Sequence, residues 1–251
     1  MTRWGRILGT LADVVFPRGC PLCDRTLPQP DDIWCPACTE ALLSATGSDY
    51  CRRCGLSVGA YLVNPDGCPA CRKNRNLLDG IARVGPYGSL VGEMVRRYKY
   101  GRRQQLDRPL GSLLAAGIQG QSWLGEIDAL VPVPTSWMSR LQYRFRPVDL
   151  LAKQVGRELS LPVLPLLYVR GKKRKQVDLS SSERARNVRG VFRVRRRARV
   201  EDATLCVIDD VCTSGSTLRE VARVLKRAGA GRVYGAALAK TDPAAAKVLG
   251  A

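Results

Sequence analysis

Histidine is absent from this 251-residue sequence, and its absence removes several kinds of chemistry. Histidine is the side chain that most readily changes charge near neutral pH, so Ser-His-Asp and Cys-His triads and histidine ligands to zinc are all excluded. Long apolar runs are absent too, since none approaches the roughly 18 residues that a membrane-spanning helix needs. Any reaction must therefore use carboxylates, hydroxyls, amides, thiols or cations, and we expect no membrane span.

Residues 1–16 have only some features of an export signal. Asp13 interrupts their apolar stretch, and no small-residue cleavage site follows. Trp4, Leu8, Leu11 and Val15 instead recur at the spacing of one helix face. We therefore predict a short amphipathic helix here, and a cytoplasmic protein.

Acidic residues are scarce: 22 of them stand against 41 lysines and arginines, which gives a net charge of +19. The surplus is concentrated between Arg170 and Arg199, where thirteen basic residues meet only Asp178 and Glu183. Such a charge favours polyanionic partners, namely nucleic acid, phosphorylated metabolites or a membrane surface. A solvated basic surface without a specific partner is the alternative, because charge alone names no ligand.

The basic window, residues 170–199, is our candidate nucleic-acid surface, together with Arg96, Arg97, Arg102 and Arg103. Its aromatic residues for base stacking are few, so we expect binding through the phosphate backbone of single-stranded DNA with weak sequence preference. The candidate contact residues are Lys172, Lys173, Arg174, Lys175, Arg195, Arg196 and Arg197.

Eight of the ten cysteines form four C-x-x-C pairs before residue 72. Two residues between thiolates let both sulfurs of a tight turn face one metal ion, and two such turns complete a tetrahedral shell. The simplest grouping is two consecutive ribbons, each with one structural zinc ion, although interleaved pairing is also compatible with the spacing. The pairs are Cys20/Cys23, Cys35/Cys38, Cys51/Cys54 and Cys68/Cys71.

Disulfides and an iron–sulfur centre are the alternatives to zinc. Disulfides require an oxidising compartment, which nothing in the sequence suggests, whereas iron is not excluded by ligand type alone. Residues 17–76 are poor in large apolar side chains, so metal binding would supply folding free energy that a core could not. Cys206 and Cys212 belong to no C-x-x-C pair, and we interpret them as reduced packing residues.

The composition changes near residue 77, which predicts a first domain at 1–76 and a second at 77–251. In the second domain, strands alternate with helices, a pattern typical of an α/β fold with a mostly parallel sheet. Residues 170–187 are polar and aperiodic, and we predict a loop there. The predicted strands are 81–87, 128–133, 191–194, 205–209 and 232–239, and the predicted helices are 90–98, 110–118, 148–159 and 217–228.

The most informative segment is residues 207–218, where a buried strand leads into two acids, a hydroxyl-rich turn and a helix. Gly215 allows the backbone to approach a phosphate, and the helix start offers amides and a positive dipole. Asp209 and Asp210 would repel phosphate, so they fit ribose hydroxyls or a divalent cation such as Mg²⁺. An ordinary capped strand-turn-helix is the alternative. The candidate loop residues are Thr213, Ser214, Gly215, Ser216 and Thr217.

This segment resembles the ribose-phosphate signature of type I phosphoribosyltransferases. The chain from Cys20 to about Lys240 resembles the ComF family, which has a double zinc ribbon followed by a phosphoribosyltransferase-like domain. The resemblance implies a pyrophosphate-side loop at 131–135, a mobile basic loop at 170–187 that closes on ligand, and ligand contacts from Arg140 and Arg184. Other matching stretches are 98–102, Gln176 and 187–188.

One stretch departs from the family pattern. After Arg140 the family usually reads Arg-Gly-Phe-Asn-Gln, whereas this sequence has Tyr143-Arg144-Phe145-Arg146-Pro147. A role carried by those amides therefore does not transfer to this chain.

The resemblance implies a role in bacterial DNA uptake during natural transformation. It implies binding of phosphoribosyl pyrophosphate or a nucleotide, with DNA-uptake helicase or channel proteins as further partners. The alternatives are an active phosphoribosyltransferase, which transfers ribose 5-phosphate to a base or amine, and a sensor that binds the metabolite without turnover. No segment identifies an acceptor pocket.

Overall fold

The computed structural model describes residues 19–29, 32–46, 49–59, 67–73, 77–101, 104–134, 145–170, 188–196 and 198–242. The helix predicted within residues 1–16 and almost all of the loop predicted at 170–187 lie outside these ranges.

A four-stranded parallel sheet forms the centre of the molecule, as the alternation of strands and helices predicted. The strand order is β1-β6-β5-β2, and all three pairings are parallel. Both faces of the sheet are covered, so the strands are short apolar runs with few polar positions. The strands are β1 (Gly80–Pro86), β2 (Ala129–Pro132), β5 (Thr204–Cys212) and β6 (Arg232–Lys240).

Strand β5 is longer than the sequence predicted. We expected it to end at Asp209, but its pairing with β6 continues until Cys212 lies opposite Lys240. Asp209 and Asp210 therefore lie inside a hydrogen-bonded strand, which holds their backbone in one conformation.

Helices pack against this sheet. Ser89 caps α3 by accepting a hydrogen bond from the Val91 amide, and Pro147 begins α5, where its missing N–H costs nothing. Helix α6 starts directly after the hydroxyl-rich turn and has no acidic residue in its first turn. The helices of this part are α3 (Leu90–Tyr100), α4 (Asp107–Gln119), α5 (Pro147–Leu159) and α6 (Ser216–Arg227).

A small antiparallel pair joins β3 (Leu167–Val169) to β4 (Phe192–Val194). The sequence predicted only β4. Strand β3 has three residues and follows two prolines. It is therefore too short to show the alternation of apolar and polar residues by which a strand is recognised, and only its pairing with β4 reveals it.

The cysteine-rich segment contributes helices α1 (Pro36–Thr46) and α2 (Pro69–Lys73). Its first half is attached to the main core, because Leu22 and Leu42 are buried in the same apolar cluster as the sheet. Its second half joins the start of β1, where the Ile81 amide donates to the Arg52 carbonyl at 2.7 Å. The cysteine-rich segment before residue 76 and the sheet domain after it are therefore in direct contact.

Candidate functional site

The carboxyl ends of all four parallel strands meet at one edge of the sheet, the usual position of a ligand site in an open α/β sheet. The central strand β5 supplies Asp209 and Asp210 there. On one side β2 ends, and the Val133 amide donates to the Ile208 carbonyl at 2.9 Å. On the other side β6 ends at Lys240.

The two acids at the end of β5 are buried, each only 9% exposed. The Asp210 amide donates to Oδ1 of Asp209 at 2.9 Å. Neighbouring residues of a strand point to opposite faces, so the pair presents carboxylates on both sides of β5.

Lys99, near the end of α3, forms an ion pair with Asp210 at 2.8 Å between Nζ and Oδ1. Burial acts to lower the pKa of Lys99, but the charges of Asp210 and Asp209 outweigh it, so the pKa is raised and the ammonium stays charged. The sequence motif contained no sign of this pair, because α3 and β5 are more than a hundred residues apart.

The turn after β5 is arranged around Gly215, whose φ of 75° lies in the left-handed region that favours glycine. The hydroxyl oxygens of Ser214 and Ser216 are 2.7 Å apart and hydrogen-bonded. These hydroxyls and the backbone amides at the start of α6 can surround an anion. We call residues 213–217 the phosphate loop.

Arg219 adds a positive charge to the phosphate loop. A Cβ at Gly215 would lie 3.1 Å from Nη1 of Arg219, and Nη2 of Arg219 donates to the Ser216 hydroxyl at 3.5 Å. No sequence motif pointed to this arginine, although its position one turn into a helix after a glycine turn is a usable signal.

Lys240 supports the phosphate loop from behind. The residue is only 5% exposed, and its ammonium donates to the carbonyls of Thr213 and Thr241, the latter at 3.0 Å. The end of β6 makes a further hydrogen bond to the start of this turn, because the Thr241 amide donates to the Cys212 carbonyl at 3.1 Å. The shape of the loop therefore depends on a lysine from β6.

The second cysteine ribbon contacts this support. Gly55 has a φ of 78°, and a Cβ there would lie 3.5 Å from Cδ of Lys240. Ser57 binds Asp242 twice, through its amide at 2.9 Å and its hydroxyl at 2.6 Å. Arg83 of β1 joins this cluster by donating to the Ser57 hydroxyl at 2.9 Å.

The eight paired cysteines lie in two tetrads with the consecutive grouping: Cys20, Cys23, Cys35 and Cys38, then Cys51, Cys54, Cys68 and Cys71. Tetrahedral zinc with sulfur at about 2.3 Å places neighbouring sulfurs roughly 3.8 Å apart. The Cys51–Cys71 and Cys54–Cys68 sulfurs are 3.8 and 3.6 Å apart, far beyond a disulfide bond. Both tetrads therefore fit structural zinc, with every ligand position filled by protein sulfur.

One cysteine in each tetrad ionises easily. Burial opposes ionisation of Cys20, but hydrogen bonds from backbone amides, that of Cys35 foremost, lower its pKa to about 7. Cys51 behaves in the same way: amide hydrogen bonds outweigh burial and lower its pKa to about 7. Amides directed at a thiolate are a further property of a metal-binding turn.

Several predicted contact residues lie outside the described part of the chain: Arg140, Arg184, Lys172, Lys173, Arg174, Lys175 and Arg197, and likewise Arg102 and Arg103. Of the basic window, Arg195 and Arg196 are described, and both are exposed just after β4. Arg97 is paired with Glu93 at 2.8 Å. Cys206 and Cys212 are buried, and burial raises the pKa of the Cys212 thiol to about 11, so packing is the role that fits them.

Within the stretch that departs from the family pattern, the described residues 145–147 make structural contacts. Phe145 meets Tyr98 edge to face at 5.3 Å, and the Tyr98 hydroxyl donates to the Pro147 carbonyl at 3.0 Å. Arg146 forms an ion pair with Asp149 at 2.9 Å. These residues anchor the start of α5.

Among the helices within the described ranges, none is both long and apolar enough to cross a membrane.

Two family models match this chain. Residues 149–248 match the phosphoribosyl transferase domain, and residues 11–72 match the double zinc ribbon domain. Strands β5 and β6 of the parallel sheet and the phosphate loop lie within the first match, and the two cysteine tetrads lie within the second.

Several known proteins are similar to this chain over most of its length. Competence protein F of Haemophilus influenzae is 26% identical over 200 residues, which span 78% of this chain and 85% of that protein. The DNA utilization protein YhgH of Escherichia coli is 28% identical over 91% of this chain and 99% of its own length. Competence protein ComFC of Bacillus subtilis is 25% identical over 84% of this chain and 89% of that protein.

Proposed function

This chain belongs to the ComF family, and from that membership we propose that it binds phosphoribosyl pyrophosphate or a nucleotide and handles single-stranded DNA during DNA uptake. The observation that carries the small-molecule part is the phosphate loop, with Asp209 and Asp210 beside it at the carboxyl edge of the sheet. The names of the relatives, competence and DNA utilization, support the DNA part.

In this proposal the 5′-phosphate binds the amides and hydroxyls of the phosphate loop at the start of α6. Arg219 and the helix dipole add positive charge, and Lys240 keeps the Thr213 carbonyl turned away from the anion. The ribose hydroxyls donate to the carboxylates at the end of β5. By the family resemblance, Arg140 and Arg184 contact the ligand from outside the described ranges.

Magnesium fits this site only together with a ligand. Lys99 already neutralises Asp210, and Mg²⁺ in proteins commonly combines one or two carboxylates with phosphate oxygens and water. We therefore propose that the ion enters with the pyrophosphate group and that Asp209 is its nearest protein carboxylate.

The test is calorimetric binding of phosphoribosyl pyrophosphate to two variants. Asp209→Asn removes the negative charge that holds a ribose hydroxyl or the cation, and Gly215→Val forces a branched side chain into the left-handed turn. We expect each change to reduce affinity at least about tenfold, which corresponds to roughly 1.4 kcal/mol.

Gly59→Val is the matched control, because a Cβ at Gly59 meets no atom of the described residues within 4 Å and its φ is not positive. Affinity that stays at the wild-type level in both site variants would refute the site. Release of pyrophosphate in the presence of candidate bases would favour the alternative, an active phosphoribosyltransferase.

A further inference from the structure

A cavity of about 480 Å³ opens between α6 and the turn that leads into β4. It is separate from the phosphate loop. Arg223 and Arg227 line it from positions seven and eleven residues after the start of α6, about 10 and 16 Å along the helix axis. Its size lies in the range of small-ligand sites.

Four arginines converge on this cavity over an apolar floor. The floor is Phe192, which is fully buried, and Val224. The walls are Arg189, Arg193, Arg223 and Arg227.

The carboxylate of Glu220 lies beside this arginine cavity, and both of its oxygens accept hydrogen bonds. It accepts hydrogen bonds from Nε of Arg223 at 2.7 Å and from the Gly190 amide at 2.7 Å. Burial acts to raise the pKa of Glu220, but these hydrogen bonds outweigh it, so the pKa is lowered and the group is ionised. Among the described residues, four guanidinium groups and one carboxylate leave the cavity a surplus of three positive charges.

Within the part of the chain that the structure describes, only two of the four cavity arginines, Arg193 and Arg223, have contacts that stabilise the fold. Arg223 and Glu220 fix the turn at Gly190, and Arg193 donates to the carbonyls of Gly190 and Phe192, each at 2.9 Å. Arg189 and Arg227 are exposed and bring like charges into the same cavity, which opposes compact folding. An anion between them would relieve that repulsion.

We propose that the arginine cavity is a second phosphate-binding site, for the phosphoryl groups of a small phosphorylated anion or of a nucleic-acid backbone. Guanidinium groups bind phosphate through paired N–H donors, and two of these four are already oriented by their own contacts. Arg195 and Arg196, exposed immediately after β4, would extend the positive surface from the cavity. The site does not depend on what occupies the phosphate loop.

The test compares two double variants that lose the same charge. Arg189→Gln with Arg227→Gln removes the two exposed cavity arginines, while Arg108→Gln with Arg157→Gln removes two exposed arginines of α4 and α5 that do not line the cavity. Thermal melts check that both proteins fold. Calorimetry with inorganic pyrophosphate and fluorescence anisotropy with labelled oligo(dT) measure the two sources of phosphate.

We expect the cavity variant to bind at least one probe about tenfold more weakly than the control variant does. A loss for pyrophosphate alone identifies a free anion as the ligand, and a loss for oligo(dT) alone identifies a nucleic-acid backbone. Repeating the titrations with Gly215→Val added separates this site from the phosphate loop, because a cavity effect persists there. Equal affinities of cavity and control variants for both probes would overturn the proposal.

Discussion

Single side chains set the shape of the phosphate loop, and Lys240 is the least expected of them. A buried ammonium group normally needs a carboxylate, yet this one donates to two main-chain carbonyls. Carbonyl oxygens beside a phosphate would repel it. In the proposed complex, Lys240 would keep the Thr213 carbonyl bound to its ammonium group, so that this oxygen would not repel the phosphate.

Lys240→Met should therefore weaken both the fold and ligand binding. Removing the ammonium leaves the Thr213 carbonyl without its donor, at a cost of about 1–3 kcal/mol. We expect a lower melting temperature and lower affinity for phosphoribosyl pyrophosphate in calorimetry. Lys153→Met, an exposed position on α5, controls for loss of one positive charge. A folded Lys240→Met protein with wild-type affinity would show that the loop does not need this lysine.

The residues around the loop differ in how far the sequence reveals them. Asp209, Asp210 and Gly215 lie close together in the chain and form a recognisable motif, so the sequence pattern alone identified them. Lys99 and Lys240 reach the same edge from α3 and β6, and their roles depend on contacts between distant segments. Only the folded sheet brings such residues together.

The observed helices and strands agree with the predicted ones where the apolar periodicity of the sequence is strong. The parallel sheet and helices α3 to α6 were predicted, with ends shifted by a few residues. The shift at β5 matters, because pairing with β6 overrides the local preference of two acids for a turn. Helix α1 was missed, since its amphipathic pattern is weak and its first turn contains Cys38, which belongs to a C-x-x-C pair.

The two ribbons should contribute unequally to the phosphate loop, because Ser57 of the second ribbon is hydrogen-bonded to Asp242, two residues after Lys240. We expect elemental analysis to find about two zinc ions per wild-type chain and about one in Cys35→Ser or Cys68→Ser, with the sheet intact by circular dichroism. Affinity for phosphoribosyl pyrophosphate should fall in Cys68→Ser and change far less in Cys35→Ser.

These two variants control for each other, since the chemical change is identical. Iron instead of zinc in the wild-type protein would refute the metal assignment. Equal affinity for phosphoribosyl pyrophosphate in the two variants would refute the link between the second ribbon and the loop.

Across the whole molecule, the charge of +19 is the property most relevant to DNA. Base stacking has little support within the described residues of the basic window. Phe192 is fully buried, which leaves Tyr168 of the neighbouring strand, 41% exposed, as an aromatic surface beside β4. Binding of single strands should therefore be dominated by phosphate contacts and depend steeply on salt.

Reversing the charge of Lys172, Lys173 and Lys175 to Glu should weaken binding of single-stranded DNA. The slope of log affinity against log salt should also flatten by roughly 0.7 for each DNA phosphate that the protein no longer neutralises. Anisotropy titrations over a range of salt concentrations measure both. The same reversal at Arg108, Lys153 and Arg157, which are exposed on α4 and α5, is the control. Unchanged DNA binding with weaker phosphoribosyl-ligand binding would assign this window to the small-molecule site.

The pair of hydrogen bonds between Ser57 of the second ribbon and Asp242, just after β6, has a thermodynamic consequence that runs in both directions. If zinc in the second ribbon favours the conformation of the loop that binds phosphate, then a bound phosphate must favour retention of zinc by the same free energy. Ligand would slow the loss of zinc to a chelator from the second tetrad and leave the first tetrad almost unaffected. A metal with no open coordination position would then report, through its rate of release, whether the nucleotide site is filled.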